Sequence, residues 1–445
     1  MSDIKTVSEM IRSGELDDLL KEIYGSETDV LDAQRERYLG AIAGFEEHFP
    51  EEAASEAAVH IFSAPGRTEI CGNHTDHQNG CVLAAAIDRD VIVIAQAGTD
   101  KDTVRIWSEG YGMVEPDMTR ETDEDTGENV LFPYTDEYGT TEALVRGIYA
   151  GAEFIGYKTG GLNAYVTSDV LGGSGLSSSA AFEMAVLMTV IGLFNEDRPV
   201  PGPVTMARLG QHAENVYFGK PCGIMDQLTS AAGGVCYMDL ADPENIVLEK
   251  SDASLDRMGL TLCLTDTGGS HADLTDEYAA VREEITGIAQ FFGKETMREV
   301  DPKDFLRYAA VIRQRCGDRA LLRAAHVIEE NKRAAAAFGY LRDGNKAGFL
   351  QTVKSSGDSS FRFLQNVYPS GHPGTQPISV AIMLSESVMG DHAVSRVHGG
   401  GFAGTAQGFV EKEYTKEYIA LMNNAFGAGA CNAYRIRTAG AVKII

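Results

Sequence analysis

No stretch of this chain is apolar for long enough to cross a bilayer, and its acidic, polar first residues lack the basic and apolar segments of a secretory leader. A soluble, cytoplasmic protein without a membrane partner is therefore expected. Cysteine is scarce and odd in number, with seven residues at 71, 81, 222, 236, 263, 316 and 431. They show neither C-x-x-C nor His/Cys ligand spacing, which favours reduced thiols over a disulfide framework or a zinc site. Basic residues are outnumbered 38 to 65 by acidic ones, for a net charge of −27. So acidic a chain argues against nucleic acid as a partner. Any polyanion it binds must be held by local backbone geometry and a bound cation. The single tryptophan, Trp107, sits in V-R-I-W-S, where packing on a strand is favoured over a ligand platform. No period recurs along the 445 residues, which rules out a solenoid.

What the chain does have is glycine and serine in clusters. Leu171 to Ala181 reads L-G-G-S-G-L-S-S-S-A-A and runs into Met184, Leu187, Met188 and Ile191 at helical spacing. A strand over 161–167 precedes it, and strand, glycine loop, helix is the order an anion site at a helix N-terminus requires. The lysine and spacing of a Walker A loop are missing. By itself the loop is either a phosphate cradle or a flexible connector.

Three further stretches carry chemistry. Ala64 to Gly80 reads A-P-G-R-T-E-I-C-G-N-H-T-D-H-Q-N-G, a polar loop able to present Arg67, His74 and Asp76 to one small ligand, or a mere exposed turn. Gly219 to Gln227 reads G-K-P-C-G-I-M-D-Q, placing Asp226 beyond a Pro/Gly turn as a reactive carboxylate or a helix cap. Ser395 to Val410 holds H-G-G-G-F-A-G, either a tight connection or a second backbone segment closing over a pocket. Around these, residues 1–52 predict an N-terminal helical extension, read as an appendage packed on the main body. Residues 53–244 and 245–445 predict two mixed lobes. Strands are expected at 60–63, 82–87, 91–95, 104–108, 161–167, 235–239, 260–265 and 433–436. Helices are expected at 141–155 and 205–217, the latter carrying Glu214, then at 303–315, 318–341, 344–354, 378–388 and 416–426.

Taken in order, the clusters at 64–80, 171–181 and 397–405 resemble the three motifs of the GHMP small-molecule kinases, and the galactokinase branch more closely, with P-C-G-I-M-D-Q resembling the segment that carries its catalytic aspartate. G-R-T-E-I-C-G-N-H-T-D-H resembles that branch's signature G-R-[VT]-x-x-x-G-[EN]-H-T-D-[YH]; the resemblance runs from about residue 55 to 445. It implies an α+β, two-lobed fold with a ribosomal S5-like first lobe and an active site in the cleft between lobes. It implies transfer from ATP to the anomeric hydroxyl of α-D-galactose, the entry step of galactose use, with Asp226 and Arg67 as the catalytic pair. Sugar hydroxyls would be held by Asn73, His74, Asp76, Gly223 and Tyr278. ATP would lie on Gly172, Gly173, Ser174, Gly175, Leu176, Ser177, Ser178 and Ser179, with Gly400 and Gly401 closing over it. Mg²⁺ would be held by Ser179 and Glu214. The departure is Asn73, where many relatives have glutamate: an amide donates as well as accepts, an ionised carboxylate only accepts.

The same residues admit a kinase of a related sugar, N-acetylgalactosamine or L-arabinose, or a non-catalytic sugar and ATP sensor. Retention of Arg67, Asp226, Ser179 and Glu214 argues against the sensor. The expected partners are small molecules alone, and the expected state a monomer or weak homodimer.

Overall fold

The computed structural model describes residues 3–170, 175–251, 254–269, 274–402 and 404–445. Two antiparallel-rich sheets organise it. The first contains β1 (His60–Cys71), β2 (Cys81–Ala97), β3 (Val104–Ser108) and β4 (Gly112–Val114). A two-stranded ribbon, β5 (Glu121–Thr122) and β6 (Asn129–Val130), stands apart from it. The first sheet continues with β7 (Leu162–Ser168), β8 (Val235–Asp239) and β9 (Val247–Ser251). The second sheet holds β10 (Leu260–Asp266), β11 (Ala393–Val397), β12 (Thr405–Glu411) and β13 (Cys431–Tyr434), in the order β11-β12-β10-β13. The last strand, β14 (Val442–Lys443), returns to the first sheet beside β1.

The first sheet runs β14-β1-β2-β7-β3-β4, with β8 and β9 added along the front half of β2. Alternate residues of a strand face opposite sides, and β2 uses both. Val91, Val93 and Ala95 enter the core around the helix Ser178–Phe194, while Ile92 and Ile94 face the other way. That helix is apolar on nearly every side and, beyond its first turn, is accordingly buried over most of its length. The opposite face of the sheet is covered by the N-terminal helices Ile4–Ser13, Asp17–Tyr24 and Thr28–His48, whose Ile42 and Phe45 share a core with Ile61, Ile92, Ile94 and Tyr165. Trp107 stacks on His48 at 3.8 Å between ring centres. The extension is thus the second cover of the sheet, more than an appendage.

Polar groups lock it there. Asp90, wholly buried, accepts from Tyr24 (2.5 Å), from Arg37 of the long helix (2.5 Å) and from Arg437 near the C-terminus (2.7 Å).

Some expectations change. The stretch 64–71, expected as loop, continues β1, and the two strands expected at 82–87 and 91–95 are one bent strand. The turn proper is confined to residues 72–80, with a short 3₁₀ helix at Asp76–Gln78. The helix expected at 303–315 is two, Pro302–Arg307 and Ala309–Cys316, and that at 205–217 is Pro203–His212 followed by a π-helical turn, Ala213–Tyr217. The expected division at 244/245 falls inside the β8–β9 hairpin. None of the described helices is long and apolar enough to cross a membrane.

Candidate active site

β1 carries a register irregularity between Pro65 and Arg67, the kind of bulge that re-aims a side chain. A Cβ on Gly66 would come within 2.9 Å of the Leu176 carbonyl oxygen, so β1 reaches the Gly/Ser loop only because residue 66 is glycine. The next residue, Arg67, donates its backbone N–H to that carbonyl at 3.1 Å. Its guanidinium meets Asp226 as a two-point fork, Nε to Oδ1 at 2.7 Å and Nη2 to Oδ2 at 2.8 Å, while Nη1 donates to the Gly175 carbonyl. Asp226 stands in the first turn of the helix Met225–Ala232 and also accepts from the Ser177 hydroxyl. Burial pushes its carboxyl upward, but Arg67 and the hydrogen bonds outweigh this and hold it below the usual range. Ser177 precedes the helix Ser178–Phe194 in left-handed backbone, φ 60°.

On the other side of Asp226, Asp76 accepts from the backbone N–H of Ile224 (3.3 Å) and Met225 (3.1 Å). Burial, reinforced by neighbouring Asp226 and opposed by these N–H groups and Arg67, raises its carboxyl to about 6. A side chain at Gly223 would collide with that carboxylate, at 1.8 Å. His74 lies 3.0 Å from the Gly400 carbonyl through Nε2, so Nε2 carries the proton. Its Nδ1 accepts from His77 at 3.3 Å. Burial lowers His74 to about 4, so it is neutral at neutral pH. Tyr278 donates to the Gly401 carbonyl at 2.9 Å.

The third group is acidic. Glu214, on the π-helical turn, receives Lys220 Nζ on one oxygen at 3.0 Å and Gln227 Nε2 on the other at 2.9 Å. Gln227 also donates to Glu183 at 3.0 Å. The remaining oxygen of Glu183 is buried without a partner, and burial beside Glu214 drives this carboxyl well above its usual range.

The structure thus brings Arg67, His74, Asp76, Gly175, Ser177, Gly223, Asp226 and Tyr278 around one region. Ser179 stands exposed in the first turn of its helix, Ser178 is half-buried there, and Leu176 is buried against β1. Gly172, Gly173 and Ser174 lie outside the described residues. Gly400 and Gly401 turn their carbonyls to His74 and Tyr278, on the expected sugar side; it is Gly399 and His398 that stand against Gly175. Asn73 is wholly buried and its amide is fully engaged: Nδ2 donates to Glu69 (3.0 Å) and the Gly399 carbonyl (2.6 Å), and Oδ1 accepts from Asn366 (2.8 Å) and Ser360 (3.2 Å).

Two residues escaped the sequence reading. His398 takes the backbone N–H of Glu69 on Nε2 at 3.2 Å, which puts its proton on Nδ1; that atom is buried, unpartnered and turned to Gly175. Lys220 lies six residues before Asp226. Both stand inside the motifs, in H-G-G-G-F-A-G and G-K-P-C-G-I-M-D-Q, but the partners that mark them, Glu69 and Glu214, lie outside those strings.

Comparison with known proteins gives this arrangement its place. The description "GHMP kinases N terminal domain" matches residues 143–234, and "Galactokinase galactose-binding signature" matches residues 43–97. The latter begins inside the long N-terminal helix, earlier than the motifs alone indicated. A galactokinase of Glaesserella parasuis is 32% identical over 369 residues, covering 81% of this chain and 86% of its own. One of Actinobacillus pleuropneumoniae is 31% identical over 360 residues, covering 80% and 86%. The crystal structure of Lactococcus lactis galactokinase complexed with galactose superposes with a TM-score of 0.72 at 21% identity, covering 90% of this chain and 99% of that one. A mevalonate kinase follows at 0.57, 14% identity and 84% and 98% coverage. The class defined by this fold and this site is that of the GHMP kinases, ATP-dependent enzymes acting on small molecules. Within it, the chain belongs to the galactokinase family.

Proposed function

We propose that this enzyme phosphorylates the anomeric hydroxyl of α-D-galactose with ATP, releasing ADP and galactose 1-phosphate, at the entry of galactose use. The observation that carries this reading is the Arg67–Asp226 fork beside the phosphate loop. Phosphoryl transfer asks little covalent chemistry of a protein; it needs in-line placement and stabilisation of charge. Asp226, held ionised by Arg67, accepts the hydrogen bond of the sugar hydroxyl and takes its proton late, as the oxygen–phosphorus bond forms. Arg67 stabilises the negative charge passing between carboxylate and sugar oxygen. His74, Asp76, Gly223 and Tyr278 hold the sugar, and the phosphate loop from Gly172 to Ser179 holds the triphosphate.

Mg²⁺ is the fitting cation. The Ser179 hydroxyl and the Glu214 carboxylate offer hard oxygens, and Gln227 bridges Glu214 to the buried Glu183 carboxyl, whose unpartnered oxygen is a further hard donor. Among the described residues no group of three or more His, Cys, Asp or Glu side chains forms a closed cage. Mg²⁺ keeps several waters and is commonly held by one or two protein oxygens together with substrate phosphates. When bound it would neutralise phosphate charge. We place the enzyme in the cytoplasm as a monomer or weak homodimer without membrane partners; its net charge of −27 supports the absence of a nucleic-acid partner.

The test is ADP release over a panel of galactose, glucose, N-acetylgalactosamine and L-arabinose. Galactose is expected to give the highest kcat/KM. Turnover on none of the four would favour the sensor, and a clear preference for another sugar the related kinase.

A further inference from the structure

Arg67 is the cation closest to the proposed reacting groups, and its guanidinium is committed. Nε and Nη2 are on Asp226, and Nη1 is on the Gly175 carbonyl. Against it stand Asp226, Glu214 and Glu183, the last two bridged by one amide nitrogen of Gln227, with one oxygen of Glu183 unpartnered. Arg67 is the leading cation acting on Asp226, Lys220 acts on it as well, and Lys220 also acts on Glu183.

Lys220 is placed for more than surface solubility. Its backbone is pinned between Gly219, in left-handed backbone at φ 78°, and Pro221, and its N–H donates to the Glu214 carbonyl at 3.0 Å. The side chain is 63% exposed, yet its Nζ reaches inward to a Glu214 carboxylate that is only 6% exposed. A mobile four-carbon stem therefore carries a point charge from the solvent mouth onto the buried acidic cluster. A triphosphate arriving there offers that charge a stronger anion than the Glu214 carboxylate.

We propose that Lys220 is a further catalytic residue: its ammonium rests on Glu214 in the nucleotide-free enzyme and turns onto an oxygen of the phosphoryl group being transferred. The proposal rests on the function proposed above. In the step it assists, the sugar oxygen bonds to the γ-phosphorus and the bond from that phosphorus to the bridging oxygen breaks. Its electron pair leaves with ADP, and the hydroxyl proton passes to Asp226. Lys220 neither gains nor loses a proton; it offsets charge on the oxygens in flight, and its departure frees an oxygen of Glu214.

The experiment compares Lys220→Met, Lys220→Gln and Lys220→Arg with the unmodified enzyme. It reads kcat with galactose, and calorimetric affinities for galactose, for ADP and for a non-hydrolysable ATP analogue, all with Mg²⁺. Lys220→Met and Lys220→Gln are both expected to lose about 100-fold in kcat. They should bind the ATP analogue several-fold more weakly, with ADP and galactose affinities unchanged, and Lys220→Arg should recover most of the rate. Glutamine can still donate to Glu214, so a Lys220→Gln enzyme of normal rate would show that the lysine merely supports that carboxylate, and would overturn the proposal. Equal weakening of ADP and analogue would overturn it too. Unmodified enzyme that turns over no sugar would instead refute the functional reading, a separate result.

Discussion

Asn73 and Gly399, 326 residues apart, are joined by a hydrogen bond of 2.6 Å from the amide nitrogen to the carbonyl oxygen, buried between the sugar motif and the glycine segment that follows β11. The same nitrogen donates to Glu69 at 3.0 Å. Burial, opposed chiefly by Arg396, raises the Glu69 carboxyl to about 7. Asn73→Asp keeps the shape but sets a second carboxyl against a carboxyl and a carbonyl, both needing a donor. Destabilisation of about 3 kcal/mol or more is expected. It would be read as a lower urea midpoint that partly recovers in acid. A change confined to the KM for galactose, at unchanged stability, would show that the amide serves the sugar instead.

The Arg67–Asp226 fork predicts which substitutions stop turnover. Asp226→Asn preserves the volume and one hydrogen bond but cannot take a proton, and a loss of roughly 10²–10⁴-fold in kcat is expected. Arg67→Lys, which cannot reproduce a two-point fork, should also lose most activity. Steady-state rates beside thermal midpoints decide it, and activity within tenfold of normal in Asp226→Asn would refute the proposed role.

Asp76 sets a pH limit. Its carboxyl, raised to about 6 by burial with Asp226 adding to the effect, is ionised and able to accept a sugar hydroxyl above that pH. As pH falls through 6 it takes a proton, and the KM for galactose should rise while that for ATP stays flat. The stability sign is the reverse. The folded value exceeds the unfolded one near 4, so the cost of the buried charge is present in full above pH 6 and is relieved as pH falls toward 4. His74, lowered to about 4 by burial, stays neutral as pH falls through 6. Asp76→Asn should abolish the pH dependence of the KM; its persistence would assign it elsewhere.

Asp90 ties the N-terminal helices to the sheet through Tyr24 and Arg37. Tyr24→Phe removes one buried donor and is expected to cost about 1–3 kcal/mol. Asp90→Asn breaks a buried ion network and should cost more, about 3–5 kcal/mol. Both are measurable as denaturant midpoints. A Tyr24→Phe midpoint equal to the unmodified one would show that the helices are held by apolar contact alone.

Much of this molecule was legible in one dimension. The apolar runs of β2 and the largely apolar helix Ser178–Phe194 follow from local composition, which the sequence carries residue by residue. The boundaries less so: residues 64–71 read as a polar loop because glycine, proline and arginine interrupt the pattern, yet they form a strand whose partner, β2, comes after the turn. The motifs marked the chemistry because Arg67, Asp76 and Asp226 stand in short, distinctive strings.

By itself, then, the sequence determined the α+β class, the order of the motifs and the family. Tertiary structure alone decided which polar groups face one another. Asn73 turns inward because Glu69, Gly399, Asn366 and Ser360 converge on it, and the N-terminal helices are a cover because Ile61, Ile92 and Ile94 need one. Lys220 lies on Glu214 because a π-helical turn and a glycine bring the chain back over its own carboxylate. Local propensity fixes an element; the partner of a buried hydrogen bond depends on residues hundreds of positions away, and no local pattern encodes it.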